Sequence, residues 1–266
     1  MKISKTIAIV LVALSLPLTF SSCEDGVAIF SINDDISFGQ QTAAQIESDP
    51  AQFPILDKSE NKEAYAYLQA ITNEILNSGE IKYKSEFAWK IHIIDKEVLN
   101  AFATPGGYIY VYTGLIKYLD TVDDLAGVMG HEIAHADRRH SSKQLQRQYG
   151  VGVLLQFILG DNSVISNIGQ TLLALDYGRD QEADADEQSV KYLAKTQYAC
   201  NGAATFFEKL LNDGATGNGP EFLSTHPSPK SRVQDINNEA TSRGCSTEKS
   251  SDDTNGMKYS EFKALF

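Results

Sequence analysis

The chain has few cysteines, more acidic than basic residues, and a single long apolar run. Three cysteines in 266 residues exclude a small disulfide-dense domain, and the absence of a fixed-period repeat excludes an array of helical hairpins. Lys and Arg number 23 against 35 Asp and Glu, so the net charge of −12 argues against nucleic acid as a partner. The 42% of hydrophobic residues are enough for a substantial core in one large domain or two small ones.

The long apolar run lies at the N-terminus and predicts an export signal. Two lysines begin it, residues 7–20 are almost wholly apolar, and a Ser-Ser pair stands directly before Cys23. The run is shorter than the roughly 20 residues that a membrane span needs, which favours a signal peptide. Small residues before a cysteine resemble the lipobox of bacterial lipoproteins, although Phe20 stands where Leu is usual.

This leader suggests how the rest of the chain is organised. We expect residues 1–22 to be a lipoprotein signal peptide and Cys23 to carry the acyl chains; the alternative is an ordinary secretory signal in which Cys23 is incidental. Removal of the two leader lysines takes the net charge from −12 to −14. Polar and small residues predict a tether at 23–38 and a loose tail at 246–266, which leaves 39–245 as the working domain.

The spacing of apolar residues predicts a mainly helical α+β domain with a small sheet. Helical patterns cover residues 40–48, 61–77, 150–159, 164–175, 179–195, 203–211 and the region after 228. A strand pattern covers 88–94, and two further strands flank the turn at 105–107, whose glycines permit positive φ. A glycine-rich loop is expected at 214–219.

A metal-binding motif lies within a further predicted helix. Thr121 begins this helix with an acidic residue three positions later, a spacing typical of a capping box. His131 and His135 are four residues apart, so both imidazoles lie on one helical face and can bind one ion. Zinc takes neutral imidazole nitrogens and lowers the pKa of a bound water. Glu132 can accept the proton of that water, so the motif predicts metal-assisted hydrolysis.

A third protein ligand is expected in the acidic segment at 179–186. Glu182 and Asp186 share one helical face, so Glu182 could reach the metal while Asp186 accepts a hydrogen bond from a ligating histidine. Spacing alone does not decide between this arrangement and a solvated acidic face, since other carboxylates lie in the same segment.

Together these motifs resemble the HtpX/CAAX-prenyl-protease family of zinc metallopeptidases. Besides the two metal-binding segments, Asn-Ala-Phe-Ala followed by Pro-Gly-Gly at 100–107 and Ser-Thr-His-Pro at 224–227 match the family in order. The likeness runs from about Gly39 to Glu239. It is strongest to the soluble periplasmic, BepA/LoiP-like branch without its helical-repeat domain, because the membrane-embedded branch carries several spans that this sequence lacks.

The resemblance implies a zincin-like fold and specific roles for the site residues. One zinc ion per chain would be held by His131, His135 and Glu182, with Asp186 bonded to a ligating histidine. The edge strand of the small sheet would bind the substrate backbone through Asn100, Ala101, Phe102 and Ala103. His226 would act in catalysis by stabilising an oxyanion, or act as a latch on the zinc; a structural role is the third possibility.

The implied function is that of a zinc-dependent metalloendopeptidase of the bacterial envelope, anchored to a membrane and facing the periplasm from the outer membrane. Its substrates would be unfolded or misfolded envelope proteins. The alternatives are a chaperone that holds clients without cutting them and a processing protease with one target.

The remaining histidines and cysteines are expected to have structural roles. His140 is expected at a helix end or beside a ligand, and His92 in a structural position. Cys200 and Cys245 can pair in an oxidising compartment, the alternative being two free cysteines.

Overall fold

A computed structural model describes residues 30–161, 163–164, 168–214, 221–226 and 229–266. Cys23, the predicted leader and most of the predicted loop at 214–219 therefore lie outside the described residues. Within the described part of the chain, no helix is both long enough and apolar enough to cross a membrane.

The architecture is α+β and mainly helical, which confirms the predicted fold class. The helices are α1 (Ile32–Glu47), α2 (Lys62–Leu76), α3 (Thr113–Tyr118), α4 (Val122–Asp137), α5 (His140–Tyr149), α6 (Val151–Ile158), α7 (Ile168–Leu173), α8 (Arg179–Leu193), α9 (Gly202–Asn212), α10 (Glu221–Thr225), α11 (Pro229–Arg243) and α12 (Tyr259–Lys263). The strands are β1 (Lys90–Ile94), β2 (Ala101–Thr104), β3 (Tyr108–Tyr112), β4 (Asp253–Thr254) and β5 (Met257–Lys258).

Helix α4 is the centre of the domain, and all of its residues are buried. It begins in a capping box, since the Thr121 hydroxyl accepts the Asp124 N–H while the Asp124 carboxylate accepts the Thr121 N–H. Helices α8 and α9 pack along it. A Cβ atom on Gly127 would lie 2.1 Å from the Ala203 nitrogen, so the contact between α4 and α9 requires glycine at that position.

The main sheet has the strand order β1-β3-β2. Strand β1 runs parallel to β3, and β2 pairs with β3 in antiparallel register, Phe102 opposite Tyr110. The turn between β2 and β3 has φ of +77° at Gly106 and +84° at Gly107, as predicted. Strand β2 therefore lies at an edge of the sheet, beside α4.

The predicted tether at 23–38 is wrong for residues 32–38, which form the first turns of α1. The Ser31 hydroxyl accepts the Asp34 N–H in a second capping box, and Phe38 is buried against Phe157 with ring centroids 5.1 Å apart. The polar residues that suggested a loop are thus the cap and first turn of an amphipathic helix.

The predicted loose tail at 246–266 is also wrong. The rings of Tyr67 and Phe262 stack at 4.1 Å, and the Tyr259 hydroxyl donates to the Ile116 carbonyl over 2.7 Å. The Ser250 N–H donates to the Asp123 carboxylate of α4. Composition alone pointed to disorder, but two buried aromatic residues at helical spacing attach this segment to the core.

A disulfide joins Cys200, just before α9, to Cys245, just after α11. The Cys200 N–H also donates to the Ser246 carbonyl. The covalent link and this hydrogen bond together hold the start of the C-terminal segment against the helical core.

Candidate metal centre

Four buried side chains from three parts of the chain converge on one point. They are His131 and His135 of α4, Glu182 of α8, and His226, which follows α10. One ligand atom from each lies within 4.8 Å of the others. The Nε2 atoms of His131 and His135 are 2.9 Å apart, and His226 Nδ1 lies 3.2 Å from His131 Nε2 and 2.9 Å from Glu182 Oε1.

The donor set fits a divalent metal ion. Nitrogen and oxygen ligands at 2.0–2.1 Å from a tetrahedral zinc ion would be about 3.3 Å apart, and the distances between the converging atoms are close to that value. Glu182 Oε2 and Glu132 Oε1 are buried without a hydrogen-bond partner among the described residues. Three imidazoles and one carboxylate are ligands that suit zinc.

Asp186 orients the first of these histidines. Its Oδ1 atom lies 2.9 Å from His131 Nδ1, so Nδ1 carries the proton and Nε2 presents a lone pair to the cluster. The sequence placed Asp186 one helical turn after Glu182, and the structure brings both carboxylates to the same side of α8 beside α4.

His140 orients the second histidine. Its Nδ1 atom lies 3.1 Å from His135 Nδ1, and its Nε2 atom lies 3.1 Å from Asp184 Oδ2. A lone pair on His135 Nε2 requires the proton on Nδ1, which then donates to His140, whose own Nε2–H donates to Asp184. Burial alone would raise the pKa of Asp184, but the hydrogen bonds from His140 and Arg138 outweigh burial and bring that pKa to about 2.

Arg232 of α11 is a site residue that the sequence reasoning missed. Its guanidinium donates to both oxygens of Asp186, over 2.7 and 2.6 Å. Nη1 lies 2.6 Å from Glu182 Oε2, close enough for an ion pair although the groups are not aligned for a hydrogen bond. Burial opposes the charge on Glu182, yet the charges of His226 and Arg232 hold the pKa of that carboxyl well below its usual range.

Glu132 lies between the metal cluster and the edge strand. It accepts a hydrogen bond from the Ala103 N–H of β2, and its Oε1 atom lies 3.5 Å from His226 Nε2. Burial raises the pKa of the Glu132 carboxyl to about 7, which the charge of His226 opposes only in part. A carboxyl group that titrates near neutral pH can both accept and return a proton.

Ser141 and Tyr177, also missed by the sequence reasoning, hold the same residue of β2 through its carbonyl. The Ser141 hydroxyl lies 3.2 Å from the Ala103 carbonyl and 2.8 Å from the Tyr177 hydroxyl. Since a carbonyl can only accept, Ser141 donates to Ala103 and Tyr177 donates to Ser141. The Tyr177 ring packs on His135 with centroids 4.0 Å apart. This chain of hydrogen bonds fixes the edge strand relative to the metal ligands.

The remaining predicted residues are placed as follows. Asn100 precedes β2 and is buried, and Ala101 and Phe102 begin the strand. His92 lies in β1, away from the cluster, and stacks on Tyr110 at 4.8 Å. Burial lowers the pKa of His92 to about 4, so it is neutral at neutral pH.

Comparison with known proteins agrees with this geometry. Residues 62–240 match peptidase family M48. The chain belongs to this family. Family membership and the four converging side chains together indicate a site for a divalent metal ion, and zinc is the usual metal of such sites.

Several curated relatives share the matched region. The mitochondrial metalloendopeptidase OMA1 of Arabidopsis thaliana is 33% identical over 149 residues, which cover 54% of this chain and 30% of the relative. The beta-barrel assembly-enhancing protease of Yersinia pestis is 27% identical over 192 residues, covering 65% and 38%. The same-named protein of Escherichia coli K12 is 29% identical over 163 residues, covering 56% and 34%. The chain thus spans about a third of the length of these relatives.

Proposed function

We propose that the protein is a zinc-dependent metalloendopeptidase. The observation that carries this proposal is the convergence of His131, His135 and Glu182 on one point, with Glu132 directly beside them. These three residues would hold the ion. The hydrogen bonds that His131 and His135 donate through Nδ1, to Asp186 and His140, fix the tautomers that leave both Nε2 lone pairs directed at it.

Bound zinc would supply a polarised water and a Lewis acid for the scissile carbonyl. Glu132 then acts as the general base: its free Oε1 atom accepts the proton of the attacking water and delivers it to the leaving amine. Burial raises the pKa of this carboxyl above its ordinary value, which makes the carboxylate a better base for the proton of the attacking water. Arg232 keeps Glu182 ionised and in place throughout the reaction.

The edge strand β2 is the proposed binding site for substrate. The backbone groups of Ala101 and Ala103 point away from β3, since the Asn100 carbonyl pairs with Tyr112. Those of Ala103 are bonded to Glu132 and Ser141, so a substrate backbone would replace these two side chains as partners of Ala103. An extended peptide can add to such an edge through main-chain hydrogen bonds. Recognition of the backbone favours little sequence preference, which suits unfolded protein substrates.

His226 is proposed to act as a latch in the resting enzyme. Its Nδ1 atom faces the metal cluster, where it would fill the position that a catalytic water needs. The same short segment is attached to the chain just before the edge strand, because the Phe222 N–H donates to the Leu99 carbonyl. Displacement of this segment would open the metal and the strand together.

The experiment that tests the proposed function compares wild type with Glu132→Gln on casein. Glutamine keeps the size and the neutral hydrogen-bonding capacity of the side chain but cannot take the proton. We expect the variant to retain one zinc ion per chain by atomic absorption and to lose cleavage by at least about 100-fold. Equal cleavage by both proteins would refute the proposed mechanism. Absence of cleavage by either, with suppressed casein aggregation, would favour a chaperone.

The latch is tested by His226→Ala. We expect faster casein cleavage than wild type with the fold unchanged by circular dichroism, because the fourth metal position is then open. Slower cleavage would instead assign His226 to stabilisation of the oxyanion. An unchanged rate would exclude both roles.

We further propose that the protein is a lipoprotein of the bacterial envelope that degrades misfolded proteins there. The Ser-Ser-Cys sequence ending at Cys23, after an apolar run, supports the anchor. The loose backbone recognition expected at β2 supports a broad substrate range. A mass increase of a diacylglyceryl group at Cys23 would establish the anchor, and accumulation of a single envelope protein on deletion would favour a narrow processing role.

A further inference from the structure

Helix α6 presents an exposed apolar surface outside the metal centre. Among the described residues, three large hydrophobic side chains are exposed: Leu155 at 40%, Leu159 at 85% and Leu265 at 41%. Leu155 lies within α6 and Leu159 is the residue that caps its C-terminus, so the two leucines, four residues apart, lie on one side of the helix. We refer to these two leucines as the apolar tip.

The apolar tip is held on a firmly packed helix. Leu154 and Phe157, on the other side of α6, are buried, and Phe157 packs on Phe38 of α1. The Gln41 side-chain amide of α1 donates to the Ile158 carbonyl over 2.6 Å. The two leucines are therefore exposed on a helix whose other side is packed in the domain, and together they form a small apolar patch.

The segment that carries the tip is open and has no charged side chain of its own. A Cβ atom added to Gly150, Gly152 or Gly160 would meet no atom within 4 Å. Residues 150–160 contain no charged side chain, although 22% of the whole chain is charged. Asp161 follows this segment directly, and Asp34 and Asp35 line the cavity beside Leu154 and Ile158, so only the helix itself is free of charge. A helix face without charges can enter a lipid bilayer without desolvating ions of its own.

The position of the chain's N-terminal segment identifies the partner. Phe30 belongs to the same buried cluster as Leu154 and Phe157, and it lines a small cavity with Leu154 and Ile158. Cys23 precedes Phe30 by seven residues, which span roughly 25 Å at most. A membrane that holds Cys23 is therefore within reach of α6.

We infer that the apolar tip is a membrane-docking surface that inserts into the lipid bilayer beside the anchor. The inference rests on the proposed attachment at Cys23. A lipid anchor alone leaves the domain free to rotate, whereas a second apolar contact on α6 gives it one orientation. Because α6 and α5 meet at Gly150, and α5 begins with His140 beside the metal ligands, this orientation also sets where the metal centre faces.

Tryptophan fluorescence tests the docking surface directly. The chain has one tryptophan, Trp89, which is buried and contributes the same background to every variant. Leu159→Trp places a reporter on the tip, and Leu265→Trp is the matched control at an exposed leucine outside α6. Each full-length lipidated protein is reconstituted in phosphatidylethanolamine and phosphatidylglycerol vesicles with brominated acyl chains.

We expect the added emission of Leu159→Trp to shift to shorter wavelength and to be quenched by the bromines, while that of Leu265→Trp stays unchanged. Quenching no greater than in the control would overturn the inference. A blue shift without vesicles, together with a dimer in sedimentation, would overturn it in favour of a second copy of the chain on this surface.

Two further measurements separate this inference from the proposed function. Mass spectrometry reports whether Cys23 is acylated. Without acylation the inference fails together with the anchor on which it rests, whereas acylated protein without quenching at residue 159 rejects the docking surface alone. Casein cleavage by Leu159→Trp in detergent reports the peptidase independently, with a rate equal to wild type expected. Quenching without any cleavage by either protein would reject the peptidase and leave the docking surface standing.

Discussion

Glycine allows close packing of helices around the metal centre, but in helix α6 it faces open space. In the core, which we define as α4, α8, α9 and α11, glycine allows helices to touch: a Cβ on Gly127 would collide with the backbone of α9. In α6, a Cβ on Gly152 would meet nothing. The core also buries ion pairs such as Arg232 with Asp186, whereas α6 exposes leucine side chains. The core is therefore constrained by internal contacts on all sides, whereas α6 is held by internal contacts on one side and is open on the other.

The largest effect is expected from removal of the core's buried cation. Arg232→Met leaves Glu182 and Asp186 buried beside each other without their positive partner, which costs about 3–5 kcal/mol of unfolding free energy. Urea unfolding of the chelated protein measures this change. The matched control, Arg243→Met, removes a partly exposed guanidinium that pairs with Glu187 and Glu239, and it should cost less than about 1 kcal/mol.

Measurement with bound zinc is a second test of the role of Arg232. A bound divalent cation supplies positive charge next to Glu182, so the Arg232→Met penalty should shrink when the urea series is repeated with zinc present. A penalty no larger than that of the control, in the absence of metal, would show that the buried carboxylates are not held by Arg232.

A smaller effect is expected from crowding of the core. Gly127→Ala forces α4 and α9 apart because the new methyl group would lie 2.1 Å from the Ala203 nitrogen. Overpacking of this kind lowers the free energy of unfolding by about 1–3 kcal/mol. The shift in the midpoint of urea unfolding measures it, and an unchanged midpoint would mean that the two helices are not in fixed contact.

These contrasts also show what the sequence could predict. His131 and His135 share one helix with the cap at Thr121, so local spacing was sufficient to predict that these two side chains lie together. Local patterns also gave the strands around the turn at 105–107. Glu182 followed from a resemblance to a family, because spacing alone left other carboxylates available.

The rest depends on contacts between distant parts of the chain. Arg232 meets Asp186 across 46 residues, and Tyr177 meets Ser141 across 36. Nothing local to either residue marks such a partnership. Helix α5 was missed because it is strongly polar and begins after Arg139, which has a left-handed φ of 60°. The predictions of a tether and a loose tail were wrong because they relied on the polar composition of these segments. A few apolar residues in each segment are enough to attach it to the core.

The smallest effect is expected in α6, from the same substitution that damages the core. Gly152→Ala adds a methyl group where no atom lies within 4 Å, in a helix where alanine is favoured over glycine by roughly 0.5–1 kcal/mol. The free energy of unfolding should therefore rise by about 0.5 kcal/mol, opposite in sign to Gly127→Ala, and the paired urea series resolves the two directions. A loss of stability would instead mean that another surface approaches α6 at this glycine, and the comparison between the two regions would fail.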